Sequence, residues 1–371
     1  RMPDNRKPST RFARAWRSAF VCFCLAGTAV LPAAAQADAR SQAKRIHDRL
    51  AGVPPTEAVL TSMADDIAAG RETEAAYTAM QHRAFYDVTL KNFAMPWTNR
   101  DQTVFTPLND YVATVIGMVR DDVEFDRVLY DDILYVGRSG LGARGYSPSG
   151  SDPHAGLESQ GINLKDDLVR TTQSAANGIP ADATAGVLTS RAAAQAFFVA
   201  GTNRAMFRFT LMNHLCTDLE QVQDPTRPPD RIRQDVSRSP GGDSRLFLNN
   251  CIACHAGMDP MTQAFAYYDY DETAGRMLYT PGVVRPKYFN NKDTFPAGYS
   301  TPDDRWDNYW RNGRNALLGW DASSQGAGQG PKSLGRELSH TDAFAGCQVQ
   351  KVFRAVCFRE PSDAQDRARV Q

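Results

Sequence analysis

The chain has 371 residues, with 42 Lys and Arg against 42 Asp and Glu, a length that suggests two or three domains. The charge is uneven along it: residues 1–37 hold six bases (Arg1, Arg6, Lys7, Arg11, Arg14, Arg17) and one acid, Asp4, and setting these aside leaves 36 bases against 41 acids, a formal charge of −5. Such an acidic body lacks the concentrated basic surface of a nucleic-acid binder, and with 42% apolar and 23% charged residues it can bury ordinary cores rather than stay disordered.

Residues 18–37 carry no charge, follow the basic stretch and end in Ala35-Gln36-Ala37. A basic start, an apolar run and a small-x-small exit describe a secretory signal peptide over residues 1–37. Gly27, Pro32 and the alanine-rich end suit a cleavage site better than a membrane anchor, so export to the periplasm without lasting membrane association is expected. Five cysteines lie beyond this segment, Cys216, Cys251, Cys254, Cys347 and Cys357. In an oxidising compartment they are open to disulfide formation or to covalent attachment of a cofactor.

From residue 38 to about 235 the pattern is helical. Residues 55–68 and 72–92 place apolar side chains at three- and four-residue intervals, and Thr106-Pro107 opens a helix towards Arg120. Residues 125–130 read as a short helix, and 133–136 as extended. Residues 137–185, dense in Gly, Ser, Pro and Asp, read as a long loop. Within it Gly140-Leu141-Gly142-Ala143-Arg144-Gly145 matches G-x-G-x-x-G, but a dinucleotide site needs a helix directly after the glycines, and Pro148 and Pro153 oppose one, so no nucleotide is expected. Thr189 and Ser190 are caps for helices over 191–199 and 203–219. Residues 225–240 read as a linker, and 236–371 as a second region.

That region opens on Pro240-Gly241-Gly242, with Asp243 as a cap, a helix over 244–255, and Gly257 with Pro260 as its stop. Residues 251–255 read Cys-Ile-Ala-Cys-His, the C-x-x-C-H signature of c-type haem attachment. On one helical turn positions i, i+3 and i+4 share a face, so Cys251, Cys254 and His255 can address one flat ligand: two thioethers hold the porphyrin edge and the imidazole reaches the iron. A zinc site would need a second close ligand pair, which Cys347 and Cys357 do not form. A thioredoxin-like C-x-x-C would need a preceding strand. One motif implies one covalent haem.

Met258 and Met261 follow the motif too closely to reach the far side of the iron, a path of about 25–30 Å that takes roughly eight extended residues or more. Met277 is far enough along to return and is the first choice of second axial ligand, with His340, His214 or an open position as alternatives. The aromatics Phe265, Tyr267, Tyr268, Tyr270, Tyr279, Trp306 and Trp310 read chiefly as packing. A last helix over 344–358 puts Val349, Val352, Phe353, Val356 and Cys357 on one face and Cys347 on the other. Ten residues of helix separate Cys347 from Cys357, too far for a bridge. Cys216 can therefore pair with either one, or all three stay reduced.

The run Asn250-Cys251-Ile252-Ala253-Cys254-His255-Ala256-Gly257-Met258-Asp259-Pro260-Met261, with the aromatic and acidic stretch 264–271, resembles the haem segment of planctomycete-type cytochrome c proteins. Phe344-Ala345-Gly346-Cys347, leading into Val352-Phe353-Arg354, is similar to the helical module that ends them, and Arg120-Asp121-Asp122-Val123-Glu124-Phe125-Asp126-Arg127-Val128-Leu129 to an upstream module. The chain is shorter than such proteins and lacks the large extra domains they often carry, so no enzymatic role carries over. The resemblance implies an exported, mainly α, mono-haem redox protein. The expectation is a periplasmic c-type cytochrome passing electrons to a redox partner protein. A peroxidase- or oxidase-type haem enzyme with an open sixth position, or a structural subunit of an envelope redox complex, are the alternatives.

Overall fold

A computed structural model describes residues 32–141, 145–198 and 203–370 of the chain. Most of the expected signal segment, and part of the Gly140 to Gly145 run, lie outside the described residues. The fold is mainly α, with three separate two-stranded antiparallel sheets among the described residues.

Three helices open it: α1 (Pro32–Leu50), α2 (Glu57–Ala68) and α3 (Glu72–Met80). Ala39, Ala43 and Leu50 of α1 face Met63, Ala64 and Ile67 of α2 and Ala75, Ala76 and Ala79 of α3, small side chains at three- and four-residue spacing that let the helices approach closely. Thr56 caps α2 by accepting from the Val59 amide at 3.3 Å. The single helix expected over 72–92 is broken instead. After α3 the chain turns and resumes as a wide π turn, Phe85–Leu90, which swings Phe85, Tyr86 and Leu90 into the core.

The helix α4 (Asp110–Arg120) is buried almost all round and forms the centre of this half. Asn109 caps it, and Asp110 accepts from the Arg191 and Ala192 amides at 2.7 and 3.0 Å, so one carboxylate also satisfies the start of α6 (Arg191–Phe197). The stretch read as a long loop holds more structure than expected. The helix α5 (Asp152–Ser159) starts there with Pro153 in its first turn, where the missing N–H costs nothing, and β2 (Leu168–Thr171) pairs with β1 (Leu134–Gly137). A strand partner more than thirty residues away leaves no local signature.

The helix α7 (Arg204–His214) packs against α6, and α8 (Ile252–Thr262) carries the motif. A hairpin of β3 (Tyr268–Asp271) and β4 (Arg276–Tyr279) follows, then β5 (Arg305–Asp307) paired with β6 (Ala327–Gln329), and the helices α9 (Gly330–Ser339), α10 (Asp342–Cys357) and α11 (Ala364–Val370). The main apolar core draws on both sides of the expected boundary at 235/236: Met95, Val115, Phe197 and Phe207 meet Met261, Phe265, Trp306, Trp310 and Phe344 in it. No helix among the described residues is long and apolar enough to cross a membrane.

Cys216, just past α7, bridges to Cys347 on α10 with a Cα separation of 5.2 Å. The buried face of α10 is Phe344, Cys347, Gln348, Val352 and Phe353, so Cys347 points into the protein, opposite to the expected orientation. The side chain of Gln348 reaches the His214 carbonyl at 3.0 Å and that of Lys351 the Asn213 carbonyl, polar anchors that turn the helix away from the face its apolar residues alone would choose.

Candidate functional site

The segment leading to the motif begins as its composition suggests. Gly241 and Gly242 both have positive φ, 63° and 86°, which turn the chain, and the Asp243 carboxylate accepts from the Arg245 amide at 2.9 Å. The helix then differs from a uniform α turn: Phe247–Cys251 forms a π turn before α8 proper, so Cys251 sits at the junction while Cys254 and His255 lie on regular helix. Nor does the helix stop at Gly257 and Pro260; it continues to Thr262. Gly257 is needed for a different reason. A Cβ there would lie 1.8 Å from Nε1 of the buried Trp310, so only glycine lets the indole rest on the back of α8.

Cys251, Cys254 and His255 are all half-buried, and neither Cys251 nor Cys254 is in a disulfide. The Cys254 thiol lies 3.7 Å from the Leu219 carbonyl, and burial pushes its ionisation up. Around Cys251 lies a small apolar cluster separate from the main core: Ile232, Val236 and Phe247 are buried, Cys251 and Ile252 pack on them. On the same segment Leu246 and Leu248 are 44% and 59% exposed. The guanidinium of Arg238 sits 5.1 Å from the Phe247 ring centre and 5.9 Å from that of Phe295.

The imidazole of His255 is fixed from behind. Its Nδ1 lies 3.1 Å from Oδ1 of Asp259, one turn later on the same face. Asp259 is fully buried, and Arg204 at the start of α7 donates to both its oxygens, Nε to Oδ1 at 2.7 Å and Nη2 to Oδ2 at 2.9 Å. The other edge of Arg204 meets Asp235 at 2.7 and 2.8 Å, and Asp235 also accepts from the buried Arg233, whose guanidinium lies 4.2 Å over the Tyr288 ring. Burial would raise the Asp259 carboxyl, but the Arg204 charge and the hydrogen bonds from His255 and Arg204 outweigh it and hold it well below the usual carboxylate range. A carboxylate can only accept, so Nδ1 carries the proton and Nε2 keeps its lone pair.

The structure therefore brings Cys251, Cys254 and His255 to one segment and adds Asp259, Arg204, Asp235 and Arg233 behind them. Asp259 could have been found in the sequence as an acid four residues after His255. Arg204 and Asp235 could not, since 55 and 24 residues separate them from Asp259.

Met277 is placed mid-way along β4, opposite Tyr270, partly buried against the main core, in a hairpin that packs on α6. The neighbours of α8 are instead α7, β5 and the turn Tyr309–Arg311. His214 is buried with Nε2 2.7 Å from the Tyr111 hydroxyl, and Nε2 of His340 lies 3.2 Å from Asp126, so each imidazole has a local partner of its own. Phe265, Tyr268, Trp306 and Trp310 are buried in the main core, as packing residues. Among the described residues no group of three or more His, Cys, Asp and Glu is arranged to hold a bare metal ion.

No family model matches this chain. Comparison with curated proteins and with solved structures likewise finds no match.

Proposed function

We propose that this chain is an exported mono-haem c-type cytochrome, in which Cys251 and Cys254 hold one covalent haem, His255 ligates its iron, and electrons pass to a redox partner protein. The observation that carries the reading is the state of His255. Its Nδ1–H is committed to the buried Asp259, which leaves Nε2 as the metal-binding nitrogen, the arrangement metal-ligating histidines use to fix tautomer and ring orientation. The donor set fits the group: two thiols outside any disulfide stand at C-x-x-C spacing beside the imidazole, and the flank formed by Phe247, Ile252 and the exposed Leu246 and Leu248 offers the apolar contact a porphyrin face needs. A bound haem supplies one-electron cycling between ferric and ferrous iron. The residues of the chain orient the imidazole, anchor the ring edge and keep water from one side of it.

The resemblance of residues 250–271 to planctomycete-type cytochrome c proteins supports the same reading, as does the leader over residues 1–37, which would bring the chain to the periplasm where covalent haem is attached. In this reading Met277, seated beside α6, is the second ligand to be tested by substitution.

Expression with the signal segment in a host that matures c-type cytochromes decides the matter. The periplasmic protein is expected to keep its haem through acid-acetone extraction and denaturing electrophoresis, and Cys251→Ala with Cys254→Ala to abolish it; a wild-type protein without covalent haem overturns the reading. Slow carbon monoxide binding to the reduced protein that becomes fast in Met277→Ala supports a six-coordinate carrier. Fast binding in the wild type shows an open position and favours the peroxidase- or oxidase-type alternative.

A further inference from the structure

We infer that Asp259 is the positioning residue that tunes this site, holding the imidazole of His255 as a strongly donating ligand, and that Arg204 limits how far it does so by competing for the same carboxylate oxygen. The inference rests on the haem reading and goes beyond it, because it states which residues set the redox equilibrium and in which direction each acts.

The geometry is specific. Oδ1 of Asp259 accepts from two donors at once, Nδ1 of His255 at 3.1 Å and Nε of Arg204 at 2.7 Å, while Oδ2 takes Nη2 of Arg204 at 2.9 Å and the Arg233 amide at 3.3 Å. The carboxylate is fully buried and gripped from two sides, so it cannot swing to solvent or leave the imidazole. Asp235 on the far edge of Arg204 holds the guanidinium in plane with Asp259. A carboxylate that accepts the Nδ1–H of a ligating histidine raises the basicity of the other nitrogen. A more basic ligand favours ferric over ferrous iron and lowers the potential. The shorter contact from Arg204 draws electron density from the oxygen His255 uses and moderates the effect. The two side chains thus act in opposite senses through one atom, which a purely structural network would not do.

The test is the midpoint potential of the purified holoprotein by spectroelectrochemistry, with haem attachment scored separately by denaturing electrophoresis. Asp259→Asn keeps the shape and an acceptor but loses the charge; it is expected to shift the ferric-to-ferrous equilibrium about tenfold towards ferrous, about 59 mV upward for one electron. Arg204→Lys keeps the charge but loses the planar fork, freeing Oδ1 for His255, and is expected to lower the potential. Opposite shifts in two haem-loaded variants establish the inference. A haem-loaded Asp259→Asn whose potential is unchanged or lower overturns it. Where Asp259→Asn does not fold, Arg204→Lys decides alone, a lower potential supporting the inference and an unchanged or higher one overturning it. Wild-type protein without covalent haem fails the haem reading itself, a result distinct from covalent haem whose potential ignores both substitutions.

Discussion

The later turns of α8 sink Gly257, Met258 and Met261 into the main core, with Trp310 lying on Gly257, while its first turn and the residue before it carry Cys251, Cys254 and His255 half-buried beside the small cluster of Ile232, Val236 and Phe247. The core side is close-packed, aromatic and joined to helices from the whole chain. The motif side is held in place by one charged network, Asp259 with Arg204, and contributes little apolar burial of its own. The difference separates support from chemistry: the helix is fixed by what lies behind it, so the three reactive side chains are free of structural duty.

Substitutions in either part of the helix put that contrast at risk, the most costly on the support side. Trp310→Ala removes a fully buried indole there and is expected to cost about 3–5 kcal/mol. Denaturant unfolding measures it, and a loss no greater than that of a surface substitution would mean that α8 is not held by its back face.

The disulfide comes next. The Cys216–Cys347 bridge spans 131 residues and encloses the motif within its loop, so replacing both cysteines by Ser is expected to lower stability by about 2–5 kcal/mol. The same denaturant midpoint, compared with that of the wild type before and after reduction, checks it.

Acid sensitivity belongs to the support side as well. Burial, helped by the Lys351 charge nearby, holds His214 neutral and well below its ordinary value of 6.5. The unfolded chain takes up a proton there that the folded chain refuses, so this contribution is intact above about pH 6.5 and falls below it by about 1.4 kcal/mol per pH unit until the folded value is reached. Stability measured against pH in wild type and His214→Phe should show that slope in the first and lose it in the second.

The mildest change falls on the motif side. In chain prepared without haem, Cys251→Ala with Cys254→Ala is expected to change stability by less than about 1 kcal/mol, since both thiols are half-buried and outside any bridge. A larger loss by denaturant unfolding would give the motif a structural role and dissolve the contrast.

How much was legible follows from the range of each interaction. The caps at Ser190 and Asp243 and the helical setting of the motif are local, and each is found as read: Ser190 accepts from the Ala193 amide at 3.2 Å and Asp243 from that of Arg245. The break after Met80 was not legible, because residues 72–92 keep a helical apolar spacing and only packing against α4 and the turn Leu164–Asp167 selects the π turn. Gly257 and Pro260 carried a stop signal that tertiary contact overrode: Trp310 requires the glycine, and the surrounding helices hold the last turn. The inward orientation of Cys347 was not legible either, because Gln348 and Lys351, polar in sequence, find buried acceptors on α7 and turn that face inward.

The order of residues is enough to set the chemistry on offer, C-x-x-C-H with an acid one turn later, because those residues act over a single helical turn. Packing of the whole chain selects which cysteine Cys216 meets, where Met277 sits, and that Arg204 and Asp235 stand behind Asp259. Those contacts join residues tens to more than a hundred positions apart, and the long-range core that brings them together leaves no mark in any short stretch of chain.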